Sequence, residues 1–340
     1  MNNHLLIRAD ANPQIGMGHL MRCLSLAQAW KDDGGEVTFI TACQNESLKD
    51  RLTQNGMHLV LIDEPYSTQR DWGVTSQVID SLPTASIVLD GYHFDTSYQR
   101  MIQSKKHWTL VLDDYVHLDW YVADAILNQN LAAQQLNYPG PPETLLLLGT
   151  KYTLLRREFR QWQDWHRTVS VVAQRILVTT GGSDTQNVVP KILHALQYLK
   201  SDLEIKLVIG TTNQDKEFVV TNSRHTLEIL TDVRDMGTLM AWADLAISAA
   251  GSTCWELAYM MLPSVLIVLS DDQARIAEEL DRHGYAINLG WHNSLSSETM
   301  AETVGELILN YEKRSALSRH GRTLVDGRGA ARIVETIKKQ

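Results

Sequence analysis

The amino-acid sequence predicts an α/β protein with two Rossmann-like domains that face each other across a cleft. Its 340 residues exceed what one ordinary hydrophobic core supports, so two domains are expected. Short apolar runs alternate with longer amphipathic stretches in two successive series, a pattern typical of parallel sheets wrapped by helices. A proline-rich loop at residues 138–142 separates the two series.

The first series starts with an apolar run at residues 5–7, followed by a glycine-containing turn and a helix. On that helix Leu20, Leu24, Ala27 and Trp30 recur at intervals of three or four residues, as one buried helix face requires. Further strands are predicted at residues 37–40, 59–62, 87–89, 110–112 and 125–127.

The second series lies in the C-terminal half of the chain, after a predicted charged helix around residues 156–160. Its strands are predicted at residues 176–178, 205–209, 227–230, 245–247 and 265–269. We therefore expect an N-terminal domain over residues 1–155 and a C-terminal domain over residues 170–325. Residues 326–340 should form a helix that packs back on the domain junction.

The composition restricts the class of ligand and the compartment. A net charge of -9 argues against a nucleic-acid partner, although backbone amides at helix starts can still hold a phosphorylated small molecule. The three cysteines lack paired or metal-ligand spacing, which indicates buried thiols in a reducing compartment. No apolar stretch has the length of a signal peptide or a membrane span, so a cytoplasmic protein without membrane insertion is expected. The sequence leaves the oligomeric state open.

The turn after the first strand contains Gly16 and Gly18, whose backbone can approach a ligand closely. It is not a dinucleotide fingerprint, because Met21 stands where the third glycine is needed. His19 would lie in the first helical turn, where the partial positive charge disfavours the imidazolium ion and suits the ring to a general-base role. The residues alone favour equally a histidine that only caps or packs at the helix start.

Loops after strands of the second series contain the candidates for binding a nucleotide or sugar. These residues are Gly181, Gly182 and Ser183, then Gly251, Ser252 and Thr253, and finally Asp272 and Gln273. Glu256 follows one turn into a predicted helix, where a carboxylate can accept both ribose hydroxyls. The alternative is a capping box between Ser252 or Thr253 and Glu256, and three comparable loops at strand ends favour function.

In the first series, Tyr92 follows the strand at 87–89 and is expected to face the ligand. The residues at 113–114 and 128–130 give weaker evidence, because acidic and amide residues are common in turns. There is neither an Asp-x-Asp motif nor a histidine pair with zinc spacing, so we expect chemistry without a metal or another cofactor.

Several segments match a known group of enzymes in order and over nearly the whole chain. The matching segments are Ile7-Arg8-Ala9-Asp10, Gly16-x-Gly18-His19-x-x-Arg22-Cys23, Asp90-x-Tyr92, Asp113-Asp114, Asn128-Gln129-Asn130, Leu148-Gly149 through Leu154-Leu155-Arg156-x-Glu158-Phe159, Gly181-Gly182-Ser183-Asp184, Ala250-Gly251-Ser252-Thr253-x-Trp255-Glu256 and Asp326-Gly327-x-Gly329-Ala330. They resemble the hydrolases of pseudaminic acid biosynthesis that cleave UDP-2,4-diacetamido-2,4,6-trideoxy-β-L-altropyranose. Relatives in spore-coat polysaccharide synthesis share the opening motif, and the chain also looks similar to the N-acetylglucosaminyltransferase of peptidoglycan synthesis.

The resemblance implies the two-domain GT-B fold and an inverting hydrolase that acts on a UDP-linked sugar. His19 would be the general base on water, Tyr92 would orient the substrate or the water, and Glu256 would hold the ribose. The amides at 181–183 and 251–253 would receive the charge of the diphosphate. Gly16, Gly18, Arg22, Asp272 and Gln273 would also contact the substrate, with Asp272 standing where the family usually has asparagine.

Two other functions are compatible with the same residues. One is a GT-B glycosyltransferase that gives the sugar to an acceptor instead of water. The other is a protein that binds a nucleotide sugar without turnover. A Rossmann oxidoreductase is disfavoured, because a complete Gly-x-Gly-x-x-Gly follows neither first strand.

Overall fold

The computed structural model describes residues 3–12, 15–63, 69–182, 186–210 and 224–340. The chain divides into two compact units. The first contains residues 1–157 together with 327–340, and the second contains residues 158–326. Each unit has its own parallel sheet, which confirms the predicted pair of Rossmann-like folds.

The first unit is built on a seven-stranded sheet with the order β3-β2-β1-β4-β5-β6-β7. Its strands are β1 (His4–Ala9), β2 (Glu36–Thr41), β3 (His58–Leu61), β4 (Ser86–Asp90), β5 (Thr109–Leu112), β6 (Ala125–Asn128) and β7 (Leu145–Leu148). Its first four helices are α1 (Gly18–Asp32), α2 (Glu46–Gln54), α3 (Gln69–Ser81) and α4 (Thr96–Gln103). Neighbouring strands pair in parallel, as this alternation of strands and helices requires.

Both faces of the first sheet are buried. Alternate residues of a strand point to opposite sides, and both sets lie in apolar clusters. Leu5 and Ile7 of β1 pack with α1 in one apolar cluster, and Leu6 belongs to a second cluster on the opposite face. Continuous apolar strands of this kind are typical of parallel sheets covered on both sides.

The second unit is built on a six-stranded sheet with the order β10-β9-β8-β11-β12-β13. Its strands are β8 (Arg175–Thr179), β9 (Glu204–Ile209), β10 (Thr226–Thr231), β11 (Leu245–Ala249), β12 (Ser264–Val268) and β13 (Ile287–Trp291). Its helices are α5 (Val189–Gln197), α6 (Met236–Trp242), α7 (Thr253–Tyr259), α8 (Asp271–Arg282), α9 (Ser297–Leu309) and α10 (Tyr311–Leu324).

The last helix, α11 (Gly329–Lys338), packs against α1 of the first unit. The charged helix expected around residues 156–160 is only a short 3₁₀ helix, Arg157–Trp162. Arg157 is instead anchored to α1: its backbone N–H donates to Gln28 Oε1 (2.8 Å) and its guanidinium pairs with Asp32 (2.6 Å).

The three cysteines are buried free thiols, as the sequence predicts. Among the helices in the described ranges, none combines the length and the apolarity that a membrane span needs. The cytoplasmic location stays a prediction.

Candidate active site

The candidate site of the first unit lies at the point where the strand order of its sheet reverses. β1 is flanked by β2 on one side and by β4 on the other, so the chain winds away from β1 in both directions. Ala9 at the end of β1 is in register with Asp90 at the end of β4. Open α/β sheets bind ligands at such switch points, beyond the carboxyl ends of the strands.

The glycine turn that leads from β1 into α1 has a conformation that needs Gly16. Gly16 has a φ of +79°, and its N–H donates to the carbonyl of Asn12 (2.8 Å). At Gly18 the backbone is ordinary, and no described atom lies within 4 Å of the place where a Cβ would stand. The start of α1 therefore has open space on one side, within the described part of the chain.

His19 follows this turn on α1, and a buried carboxylate holds its side chain. Its Nδ1 lies 2.6 Å from Oδ1 of Asp90, the last residue of β4. A carboxylate only accepts hydrogen bonds, so in the neutral ring this contact places the proton on Nδ1 and leaves Nε2 as the acceptor. Arg22 Nη2 lies 3.2 Å from the same Nδ1, but both groups are then donors and do not bond to each other. Nε2 has no hydrogen-bond partner among the residues that the structure describes. This geometry suits a general base, with Asp90 as the group that orients it.

Arg22 follows His19 by one helical turn, which brings both side chains to the same face of α1. Its Nε and Nη2 donate to the two oxygens of Asp90 at 2.7 and 2.6 Å, and its Nη1 donates to Asp114 Oδ2 at 2.6 Å. Burial of Asp90 opposes its ionisation, but the charge and hydrogen bonds of Arg22 and His19 hold its pKa well below the ordinary value. Asp90 is therefore a stable anion that fixes the imidazole.

Tyr92 completes this network through Asp114. Its hydroxyl donates to Asp114 Oδ2 (2.5 Å), and its ring meets the His19 ring edge to face, with centroids 4.9 Å apart. Asn130 Nδ2 donates to the other carboxylate oxygen of Asp114 (3.0 Å). Tyr92, His19 and Arg22 are thus brought together, as expected for residues of one site.

Sequence reasoning did not assign a role to Asp90, and it treated Asp114 as weak evidence. The sheet order explains why Asp90 belongs to the site, because β4 is the neighbour of β1 and ends in this carboxylate. The available signal was an acidic residue at the end of a buried strand. Its partner could be recognised only once the two strands were known to be adjacent.

The second unit has an equivalent switch point between β8 and β11. Thr179 near the end of β8 is in register with Ser248 of β11, so the loops after these strands start side by side. Gly181 has a φ of +81°, which favours glycine there. The backbone of Gly182 lies so close to Gly210 that a Cβ on Gly210 would stand 2.0 Å from the Gly182 carbonyl oxygen. Ser183 lies outside the described residues.

Residues Gly251, Ser252 and Thr253 follow β11, and α7 begins at Thr253. The capping box at Ser252, which the sequence left open, does not form: within the described ranges, the Ser252 side chain makes no capping hydrogen bond to α7. The Ser252 side chain is exposed, and Glu256 lies half-buried one turn into the helix.

Gln273 lies beside the Gly251 loop, whereas Asp272 is exposed. The side-chain oxygen of Gln273 accepts from the N–H of Leu269 (3.2 Å), and its amide nitrogen would be 3.9 Å from a Cβ at Gly251. Asp272 occupies the first turn of α8. Among the described residues, no group of three or more His, Cys, Asp or Glu side chains is arranged to hold a metal ion.

Comparison with known proteins gives the fold and one domain match. Residues 175–333 match the family model described as the glycosyltransferase family 28 C-terminal domain. The chain is 24% identical over 340 residues to the spore coat polysaccharide biosynthesis protein SpsG of Bacillus subtilis, with 98% of each chain covered. It is 23% identical over 286 residues to the UDP-2,4-diacetamido-2,4,6-trideoxy-beta-L-altropyranose hydrolase of Campylobacter jejuni, with 83% of this chain and 98% of that protein covered.

Among solved structures, the chain resembles MurG of Acinetobacter baumannii with a TM-score of 0.68 and 16% identity, over 99% of each chain. This similarity concerns the fold, because the sequences have diverged widely. The chain therefore has the fold of the GT-B glycosyltransferase-like superfamily, and its C-terminal half is similar to the C-terminal domain of glycosyltransferase family 28.

Proposed function

We propose that this chain hydrolyses a UDP-activated diacetamido-trideoxy sugar at the anomeric C–O bond, releasing UDP and the free sugar for nonulosonic (pseudaminic) acid biosynthesis. The observation that carries the proposal is the His19–Asp90 pair, which leaves Nε2 of a nearly buried imidazole as a proton acceptor. Similarity to the Campylobacter jejuni hydrolase over 98% of that protein supports the substrate class.

In the proposed reaction, His19 Nε2 takes a proton from a water molecule as that water attacks the anomeric carbon. The C–O bond to the diphosphate breaks on the opposite side of the sugar, so the configuration inverts in a single displacement. Asp90 stabilises the imidazolium that forms, and Tyr92 orients the substrate or the water. A general base of this kind contributes about 10²–10⁴-fold to the rate.

The proposed nucleotide site uses the second unit, where the family 28 match lies. Backbone amides at Gly251–Thr253 and at Gly181–Gly182 receive the charge that develops on the diphosphate, without a metal ion. Ser183 is included on its sequence position alone. Glu256 accepts hydrogen bonds from the ribose hydroxyls. Gln273 lies beside the Gly251 loop.

The second candidate function is a glycosyltransferase, which the family 28 match favours. In that reaction the same His19 would deprotonate an acceptor hydroxyl instead of water. The two functions therefore share the base and the donor, and they differ only in the nucleophile.

Proton NMR of the purified enzyme with the UDP-linked diacetamido sugar and EDTA tests the proposal. We expect the wild type to release UDP and an inverted free sugar. His19→Asn should lower the rate at least about 100-fold, because the base is lost. His58→Asn is the matched control, since the His58 side chain is exposed on β3, and it should leave the rate unchanged.

Full activity of His19→Asn would rule out the role of His19. Sugar release that requires an added acceptor would replace the hydrolase by the transferase.

A further inference from the structure

A loop at residues 113–121, in the connection between β5 and β6, lies next to the His19 site and is rich in aromatic side chains. We refer to it as the aromatic loop. Two of its aromatic side chains are exposed, Tyr115 at 45% and Trp120 at 46%. Tyrosine and tryptophan combine a large ring with a polar end and are enriched where proteins contact ligands or partners, so an exposed ring beside a candidate site marks a candidate binding surface.

The aromatic loop is held by one buried carboxylate. Asp113 Oδ1 accepts from the backbone N–H groups of Tyr115 (2.8 Å) and Val116 (2.7 Å). Asp113 Oδ2 accepts from His117 Nδ1 and from the hydroxyl of Tyr121. The hydrogen bonds of Asp113 therefore hold the backbone of this loop at Tyr115 and Val116.

This conformation includes backbone strain at Val116, which has a φ of +63°. A positive φ is a genuine outlier for a β-branched residue, and strain of this kind persists only where the surroundings impose it. The hydrogen bonds of Asp113 impose it here. These hydrogen bonds thereby hold Tyr115 next to Tyr92 of the candidate site.

Tyr115 contacts the site through Tyr92. The two ring centroids are 4.7 Å apart, and the Tyr92 ring is in turn 4.9 Å from that of His19. The hydroxyl of Tyr92 is bonded to Asp114, and the Tyr92 and Tyr115 rings are tilted by 55° to each other. Trp120 differs: although it is equally exposed, the described residues provide no ring contact for it.

We propose that Tyr115 is a substrate-positioning residue that packs against the apolar substituents of the donor sugar and selects N-acylated, deoxygenated hexoses. This inference rests on the proposed function. A trideoxy sugar with two acetamido groups has three methyl groups and few hydroxyls, so it presents the apolar surface that an exposed aromatic ring buries favourably. A fully hydroxylated hexose offers less such surface and loses hydration of its hydroxyls on the same ring.

The test compares Tyr115→Ala, Tyr115→Phe and Trp120→Ala with the wild type, by steady-state kinetics and by calorimetric binding to the His19→Asn background. We expect Tyr115→Ala to weaken binding of the UDP-diacetamido sugar, and to raise KM, by about tenfold while leaving the affinity for UDP unchanged. Tyr115→Phe keeps the ring and should retain most of the wild-type affinity for the UDP-diacetamido sugar. Trp120→Ala is the matched control with equal exposure, and its KM should equal that of the wild type.

The outcomes separate this inference from the proposed function. If the wild type neither binds nor cleaves the UDP-linked sugar, the proposed function fails and the inference fails with it. If the wild type is active and Tyr115→Ala has the wild-type KM and affinity, the inference alone is overturned. Equal losses for UDP and for the UDP-linked sugar would also overturn it, because they would indicate a structural effect.

Discussion

Each oxygen of the Asp90 carboxylate accepts two hydrogen bonds. Oδ1 accepts from His19 and Arg22, and Oδ2 accepts from Arg22 and from the thiol of Cys23 at 3.3 Å. Arg22 cancels much of the charge of Asp90, so the carboxylate can orient His19 without being an unpaired buried anion. Arg22 is thereby a positioning residue, in addition to any contact it makes with substrate.

Asp90→Asn should lower kcat by about 10²–10⁴-fold and leave the affinity for UDP unchanged. An amide in place of the carboxylate turns one acceptor into a donor, so the imidazole loses the partner that keeps its proton on Nδ1. UDP release assays with calorimetric UDP binding measure both effects. Cys23→Ser is the control, because a serine hydroxyl can still donate to Asp90 Oδ2 and the carboxylate partner of His19 is kept. A wild-type kcat for a folded Asp90→Asn protein would contradict the orienting role.

In the second unit, the position of the Gly251 loop depends on how closely α10 approaches α7. A Cβ at Gly321 of α10 would stand 2.1 Å from the carbonyl oxygen of Ala258 and 3.2 Å from Cα of Met261. Both atoms belong to the backbone, so they have little freedom to move. Close packing of this kind fixes the helix whose first turn follows Gly251 and Ser252.

Gly321→Ala should therefore destabilise the second unit by about 1–3 kcal/mol, the usual cost of overpacking. Gly305→Ala is the matched control within another helix, α9, where the added Cβ meets only the end of the Leu199 side chain, at 3.2 Å. Its effect on the free energy of unfolding should stay within about 1 kcal/mol, because alanine also favours a helix. Urea unfolding followed by circular dichroism measures both. Equal stability of the two variants would show that α10 can shift freely.

The sequence predicted those elements that have a local signal, and it missed those that do not. β7 consists of four leucines, which are also good helix formers, and β13 contains Gly290; neither was recognised as a strand. Arg157 is bound to α1, which no local pattern records.

The candidate site divides in the same way. Gly16, Gly18 and His19 were predictable because turn glycines and a polar residue follow a strand within a few positions. Asp90 and Asp114 were not recognised as partners of Arg22, because they are 68 and 92 residues away in sequence. Val116 has no sequence signal for a positive φ, so the presentation of Tyr115 could be found only in the structure.

For the molecule as a whole, the chain returns to the first unit after completing the second. α11 covers part of α1 with Ile333, Val334 and Ile337, which are 0%, 5% and 1% exposed. Burial of three such side chains contributes at most about 5–9 kcal/mol, which is comparable to the net stability of a domain. Gly329 at its start fits because it has no Cβ: a Cβ there would stand 2.2 Å from the carbonyl oxygen of Thr153.

Truncation after Asp326 should consequently unfold the first unit and leave the second folded. Hydrogen exchange followed by mass spectrometry should show fast exchange of the β1 and β4 amides, while the β8 and β11 amides keep their protection, because only the first core loses an apolar layer. Truncation after Lys338 is the control, since it removes two exposed residues and keeps the buried face of α11. Protection of β1 and β4 that survives loss of α11 would mean that the first sheet and its other helices form a sufficient core. In that case α11 would be a dispensable cover, and the activity of the truncated chain should equal that of the full one.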